Sequence, residues 1–217
     1  MDVKQRSKIE HIEETQLEMT NSWFDYWQQY SDLGTPQFWV LLGFLVIPLI
    51  ILFFRMDKRK ALLLGFFGYT VHVAFTYIDT FGASKALWFY PYTVLPILPV
   101  SFALDVSFVP VTYMLVYQWT LDNKKSYYLS MLVLSALLSF VFKPVLAALQ
   151  LFQLHRGANY FHLFLGYFAI AIIAKAITNV FIFLKRTPSK RTPSKPTDLK
   201  HTRTASVFFI LKLTMVN

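Results

Sequence analysis

Long apolar stretches alternate with short polar segments along the chain. Five runs stand out, at residues 38–54, 61–81, 100–121, 127–152 and 160–184. Each run has at least 17 residues, which as a helix extend about 26 Å or more at 1.5 Å per residue. Because every backbone amide inside a bilayer must be paired internally, runs of this length favour helices over strands. The pattern predicts an all-α fold, a polytopic membrane helix bundle of about five transmembrane helices. Prolines within three runs, Pro48, Pro110 and Pro144, predict kinks.

A different pattern precedes the first run. Over residues 8–30, apolar and aromatic side chains recur at three-, four- and seven-residue steps, and acidic residues mostly lie elsewhere. The recurring positions are Ile9, Ile12, Met19, Trp23, Tyr26 and Tyr30. This periodicity predicts an N-terminal amphipathic helix. Two interpretations remain open: a helix lying at the membrane surface, or a helix that binds a protein partner. Residues 1–22 are polar and lack the apolar segment of a signal peptide.

The chain ends in a basic segment that does not resemble a folded domain. The sequence Arg-Thr-Pro-Ser-Lys occurs twice in tandem at 186–195, and the last apolar stretch, 206–217, is too short to span a bilayer. Proline, charged and small polar residues cannot bury a core, so a disordered linker is expected. The predicted domains are an acidic outer head at 1–36, a five-span membrane domain at 37–185 and a basic disordered tail at 186–217.

Charge is distributed unevenly and predicts an orientation. Residues 1–36 hold seven acids and three bases, whereas residues 185–217 hold eight bases and one acid. Basic residues cluster in the loop at 55–60, in the loop after the third run and in the tail, whereas the two intervening loops carry only Lys85 and Arg156. Because basic loops are retained in the cytoplasm, we expect a multi-pass protein of the cell membrane, with the N-terminus outside and the C-terminus cytoplasmic.

Composition narrows the class of protein. The chain is 55% hydrophobic, 18% aromatic and only 15% charged, which is typical of a membrane protein and not of a soluble domain. The net charge of +9 lies beside apolar runs, where it predicts contact with the lipid bilayer and no nucleic-acid partner. Protein partners are expected through the helix at 8–30 or the basic tail. The chain has no cysteine, which excludes disulfides and thiolate chemistry.

Six ionisable residues lie within the apolar runs: His72, Asp79, Asp105, Lys143, His162 and Lys175. Each costs about 2.5 to 3.5 kcal/mol at the middle of a membrane, so each is a candidate functional residue. Helical spacing places several of them on polar faces. The second run carries Gly65, Tyr69, His72, Thr76 and Asp79; the third carries Ser101, Asp105 and Thr112; the fourth carries Ser135, Ser139, Lys143, Ala147 and Gln150.

Depth in the five-span topology predicts which of these groups meet. Asp79, Asp105, Lys143 and His162 all fall in the outer half, where together they form a nearly neutral cluster with an expected ion pair between Asp105 and Lys143. The secondary candidates are His72 and Lys175, nearer the midplane, and Tyr90 and Tyr92 in the loop outside. The cluster is interpreted as a structural device for helix register, as a solute, ion or proton site, or as a catalytic centre.

Absent motifs weigh against an enzyme. Every glutamate lies at or before position 18, and the chain contains no GxSxG, HExxH or GxxxxGK[ST] motif. His72 and His162 lack a metal-ligand spacing, so no metal and no cofactor is predicted. We therefore expect a non-enzymatic membrane component or interaction partner. The alternative is a small solute, ion or proton transporter that uses the intramembrane Asp, Lys and His residues.

The loop before the third run, where Pro91, Pro96 and Pro99 forbid regular helix, is rich in aromatic residues: Trp88, Phe89, Tyr90 and Tyr92. Such side chains suit the headgroup boundary as an aromatic collar. A lid above the ionisable cluster is the other interpretation.

A set of short motifs suggests a family. They are Tyr90-Pro91-Tyr92, Leu95-Pro96, Asp105, Pro110-Val111, Tyr117-Gln118, Lys143-Pro144 and the helix at 160–175. Over residues 38–184 the chain resembles an uncharacterised family of small multi-pass membrane proteins of spore-forming Gram-positive bacteria, named after a clostridial locus. The resemblance implies four to five spans and no known activity. That family carries an acid where this chain has Lys143, so the resemblance does not imply a shared proton-carrying role for this position.

Overall fold

A computed structural model, which describes residues 1–96 and 100–186, shows a mostly helical chain. Its helices are α1 (Val3–Tyr30), α2 (Pro36–Arg55), α3 (Ala61–Ser84), α4 (Val109–Asp122), α5 (Tyr127–Leu137), α6 (Lys143–Ala148) and α7 (Tyr160–Arg186). Four helical stretches of the described chain are long and apolar enough to cross a membrane: Pro36–Arg55, Lys58–Ser84, Tyr127–Ala148 and Tyr160–Lys185. The helical fold that the apolar runs predicted is therefore confirmed.

The third apolar run also forms a helix, from residue 102 to residue 122, but it is not among those four stretches. Its first part is a π-helical segment, Leu104–Phe108, in which Leu104, Asp105 and Ser107 are buried. In α4 the buried side chains include Tyr113 and Tyr117. This helix is enclosed by protein over much of its length, so its polar side chains Asp105 and Ser107 lie in the interior.

Two of the three internal prolines adjoin a change in helical hydrogen bonding. The π-helical segments Leu104–Phe108 and Leu138–Phe142 end two residues before Pro110 and Pro144. Val109 N–H bonds to the Leu104 carbonyl, and Lys143 N–H bonds to the Leu138 carbonyl, a spacing of five residues instead of four. Because proline has no N–H to donate, the helix accommodates it by this local change. Helix α2 continues through Pro48 without such a segment.

Two short strands define one end of the helix bundle, which we call the β-ribbon end. Strand β1 (Trp88–Phe89) pairs antiparallel with β2 (Gln153–Leu154), with Trp88 opposite Leu154. The ribbon joins the loop before the third run to the loop before α7. The last turns of α1 lie at the same end: Trp27 Nε1–H donates to the Thr93 carbonyl at 2.9 Å, and Thr93 N–H donates to Ser31 Oγ at 2.9 Å.

The opposite end, which we call the basic end, is formed by the loop between α2 and α3 and by the last turns of α4. The Gln118 side chain accepts from Asp57 N–H at 2.8 Å and donates to the Arg55 carbonyl at 3.0 Å. It thereby pairs a carbonyl that the end of α2 leaves without a helical partner. Lys60 forms an ion pair with Asp122. The Arg59 backbone N–H lowers the pKa of the Asp57 carboxyl below its usual value.

The core is rich in aromatic residues. Buried tyrosines secure α7, because Tyr113 donates to the Tyr167 carbonyl at 2.9 Å and Tyr127 donates to the Ala171 carbonyl at 2.8 Å. Residues Met1–Ile182 form one compact unit, which includes the predicted head. The tail with its tandem repeat, beyond residue 186, lies outside the described residues.

Candidate functional site

Asp79 lies on the last turns of α3 and is only 4% exposed. Its Oδ1 accepts two hydrogen bonds from the neighbouring loop, from Trp88 Nε1–H at 2.7 Å and from the Tyr90 hydroxyl at 2.9 Å. Gly82, one turn further along α3, makes room for the indole, because a Cβ atom there would stand 1.9 Å from the Trp88 ring. The loop therefore closes directly onto this carboxyl group.

Lys143 begins α6 and is 1% exposed. Its Nζ donates to the Tyr90 hydroxyl at 2.8 Å and stands 4.0 Å from the centre of the Phe152 ring. The fourth run was predicted to stay apolar and helical to residue 152, but α6 ends at Ala148, and Gln150 adopts a positive φ of 60°. This turn brings Phe152 back over Lys143, where the ring face stabilises the ammonium group.

Asp105 is 1% exposed and lies in the first π-helical segment. Its carboxyl group is within hydrogen-bonding reach of the Asp79 carboxyl. Among the described residues no donor reaches either Asp105 oxygen, or Oδ2 of Asp79. The two acids therefore face each other in a buried site.

The predicted ion pair between Asp105 and Lys143 is wrong. In the described parts of the chain, ion pairs within 4.0 Å join only Asp57, Arg59, Lys60 and Asp122. Lys143 instead uses the Tyr90 hydroxyl as its acceptor, and that hydroxyl in turn donates to Asp79. Helix periodicity and depth placed the right residues near each other, but they contain no information about a loop side chain that inserts among them.

His162 stands at the edge of this group. Its side chain is exposed, and its Nδ1 accepts from Asn159 N–H at 3.3 Å. It lines a cavity of about 40 Å³ together with Asp79, Lys143 and Tyr167. The structure therefore gathers three of the four predicted cluster residues in the interior and places the fourth on the wall of an adjoining cavity.

His72 satisfies a backbone group that the proline leaves unpaired. Val109 N–H bonds to the Leu104 carbonyl, and Pro110 has no N–H. No backbone N–H of the same helix therefore remains to donate to the Asp105 carbonyl. His72 Nδ1 lies 2.8 Å from this oxygen. Because a carbonyl can only accept, Nδ1 carries the hydrogen. The predicted secondary residue therefore positions the π-helical segment that presents Asp105.

Lys175 forms a second contact between a lysine and a tyrosine, away from the two acids. Its Nζ donates to the Tyr117 hydroxyl at 2.8 Å and lies 4.3 Å from the centre of that ring and 5.1 Å from the Tyr127 ring. Neither tyrosine contacts the acid cluster through a hydrogen bond in the described structure. The sequence predicted Lys175 as a candidate but gave no sign of its aromatic partners.

The aromatic loop lies differently from the predicted collar. Trp88 and Tyr90 are buried and bond to Asp79 instead of facing the headgroups, which agrees with the lid interpretation. Tyr92 is half-buried and packs on the core, and Pro99 lies outside the described residues. Trp88 is a site residue that sequence reasoning missed. Nothing in its spacing distinguished it from an interfacial tryptophan.

The polar faces are confirmed only in part. On α3, Asp79 is buried and His72 and Thr76 are half-buried, but Gly65 and Tyr69 are exposed. The fourth run buries Ser135, Ser139 and Lys143, whereas Gln150 is exposed. The third run buries Ser101 and Asp105 and leaves Thr112 half-buried.

The arrangement defines a class of protein in physical terms. It is a helical protein whose described residues include four helices long and apolar enough to cross a membrane and a buried network of two acids, a tyrosine and a lysine. No group of three or more His, Asp or Glu side chains in residues 1–96 and 100–186 is arranged to hold a metal ion. No protein-family model, no curated protein and no solved structure matches the chain.

Proposed function

We propose that this chain is a multi-pass integral membrane protein of the cell membrane, with five spans, an external N-terminus and a cytoplasmic C-terminus. In addition to the four long apolar helices, the helix from residue 102 to residue 122 is a span, the third in chain order. The positions of the loops support this topology. The basic loop at 55–60 contacts the end of α4 through Lys60 and Asp122, and α1 meets the opposite end of the bundle, where β1 and β2 pair.

Within that membrane protein we assign α1 the role of a docking helix, so that the chain acts as a non-enzymatic component that binds another protein. The observation that carries this proposal is the apolar stripe of α1, which is only partly used inside the chain. Met19, Trp23 and Tyr26 line a groove against the loop that contains Pro91. Ile9 and Ile12 continue the same stripe but are 44% and 63% exposed.

The spacing of the stripe suits a helix-shaped partner. Ile9, Ile12, Met19 and Trp23 fall at steps of three, seven and four residues, the pattern by which one helix packs along another. The acidic residues Glu10, Glu14 and Glu18 lie on the opposite side of the helix, at the 100° rotation per residue of an α-helix. The partner therefore presents an apolar helix face to Ile9 and Ile12.

Site-specific photo-crosslinking in intact membranes tests this role. A photoreactive residue at Ile12 is expected to form a discrete protein adduct, whereas the same residue at Glu14 is not, because the two positions point to opposite sides of α1. Gln16 lies on the same stripe, between Ile12 and Met19, and a photoreactive residue there should also form the adduct. Ile9→Ser combined with Ile12→Ser should abolish that adduct and leave thermal stability unchanged, because both isoleucine side chains are exposed. Adducts with lipid alone would contradict the docking role and favour a helix lying on the membrane.

Transport of a proton or small ion is the second candidate, favoured by the cavity beside Asp79, Lys143 and His162. A volume of about 40 Å³ is enough for one or two waters. Uptake into vesicles that contain the purified chain, compared with Asp105→Asn, tests this function. We also propose that the chain belongs to the uncharacterised family of small multi-pass membrane proteins of spore-forming Gram-positive bacteria that is named after a clostridial locus.

A further inference from the structure

Three ionisable side chains meet in the protein interior. Asp79, Asp105 and Lys143 are between 1% and 4% exposed. If all three were ionised, their charges would sum to −1, because two carboxylates face a single ammonium group. An uncompensated charge is strongly unfavourable in a buried site. The charge balance therefore lacks one positive charge.

The carboxyl groups also lack a hydrogen-bond donor. Oδ1 of Asp79 accepts from Trp88 and Tyr90, but Oδ2 of Asp79 and both oxygens of Asp105 meet no donor among the described residues. Buried carboxyl oxygens are normally hydrogen-bonded. The two carboxyl groups lie within hydrogen-bonding reach of each other, yet two ionised carboxylates have no hydrogen to share.

We propose that Asp79 and Asp105 bind one proton between them, forming an acid–carboxylate hydrogen bond that makes the network with Lys143 electrically neutral. One proton supplies both missing quantities, the positive charge and the donor. An O–H group donating to a carboxylate forms one of the stronger hydrogen bonds in proteins. The site is therefore a binding site for a single proton, and this inference does not depend on the membrane topology or on the role of α1.

The other polar groups around the pair do not supply that proton. Tyr90 donates its hydroxyl hydrogen to Asp79 and receives one from Lys143, so it links the ammonium to the acids without changing the charge. Tyr167 is buried, and its hydroxyl has no partner in the described structure. His72 contacts the backbone carbonyl of Asp105, and His162 lies on the cavity wall beside Asp79.

Infrared spectroscopy of the full chain in detergent, at neutral pH, tests the proposal. A protonated carboxyl group absorbs separately from a carboxylate and shifts in heavy water. Exposed acids are ionised at this pH, so the wild type is expected to show the band of one protonated acid. Asp79→Asn and Asp105→Asn should each lose it, because Lys143 then balances the one remaining carboxylate. In Lys143→Met the band should roughly double, because both acids must be neutral.

Asp57→Asn is the matched control, because Asp57 lies at the basic end in an ion pair with Lys60, and the band should be unchanged. If a variant of a buried residue fails to fold, the infrared spectrum of the wild type still tests the proposal. A wild-type spectrum without a protonated carboxyl band would overturn it. A band that keeps full intensity in both aspartate variants would also overturn it, because the proton would then belong to another group.

Discussion

At the scale of single residues, the Tyr90 hydroxyl decides how the buried charges are connected. It accepts from Lys143 and donates to Asp79, so it satisfies one group of each sign. The same pairing of lysine with tyrosine recurs at Lys175 and Tyr117. A buried ammonium group needs hydrogen-bond acceptors as well as a countercharge. In both places a tyrosine provides an acceptor together with an aromatic ring.

Lys143→Met is expected to lower the free energy of unfolding by about 3 to 5 kcal/mol, because Lys143 is the only cationic side chain buried beside the two acids in the described structure. Asp105→Asn should cost less, because Asp79 still balances the ammonium group. Thermal or chemical unfolding in detergent, calibrated against the wild type, measures both losses. Equal losses in the two variants would instead indicate a direct pair between Asp105 and Lys143.

At the scale of elements, the two π-helical segments show how a helix accommodates proline. Each starts with a leucine followed by a small polar or acidic residue, in Leu104-Asp105 and Leu138-Ser139, and each ends two residues before a proline. Their phenylalanines meet, because the Phe108 and Phe142 rings stack at a centroid distance of 4.4 Å. The segments therefore lie side by side, close to where the buried network forms.

His72 and Pro110 are expected to be energetically coupled. His72→Phe should cost about 1 to 3 kcal/mol, because it leaves the buried Asp105 carbonyl without a donor. In a Pro110→Ala background the loss should be smaller, because the new N–H at position 110 can bond to that carbonyl within the helix. A double-mutant cycle of unfolding free energies measures the coupling. Strictly additive losses would contradict the proposed link.

A pair of glycines on α3 provides a matched comparison. Gly82→Ala places a methyl group within 1.9 Å of the Trp88 ring, so it should displace the indole from Asp79 and cost about 1 to 3 kcal/mol. Gly65→Ala on the same helix meets nothing within 4 Å and should be neutral or stabilising. Unfolding in detergent and Trp fluorescence report the two effects. An unaffected Gly82→Ala variant would show that the loop does not pack closely against α3.

At the scale of the whole molecule, the two ends of the bundle differ in chemistry. The β-ribbon end carries the aromatic loop and the docked part of α1, and the basic end carries Arg55, Arg59 and Lys60. The buried acids lie near the β-ribbon end, because Asp79 bonds to Trp88 of β1. This difference between the two ends suits a protein whose ends face different environments.

Reporter fusions test the proposed orientation. A reporter fused after Asn217 is expected in the cytoplasm, and one fused before Met1 is expected outside, because the basic loops are retained inside. A fusion within the loop at Asn123 serves as a second cytoplasmic control. Terminal reporters that both appear on the same face would refute an odd number of spans.

The sequence by itself determined where the helices form and which of many side chains are buried. Apolar length is a local property, so the predicted runs agree with α2, α3 and α7 to within a few residues. Helical spacing also grouped Ser135, Ser139 and Lys143 on one face, and all three are buried. The cost of burying charge in a membrane also identified Asp79 and Asp105 as candidate site residues.

Only the tertiary structure decided what these residues contact. Spacing shows which side chains share a face of a helix, but it does not fix how that helix is rotated against its neighbours. Gly65 and Tyr69 therefore lie outside although they share a stripe with Asp79. Spacing also says nothing of the loop between helices, which places Tyr90 between Lys143 and Asp79 in the chain of hydrogen bonds. Such contacts depend on packing between distant segments, because they form only when the whole chain has folded.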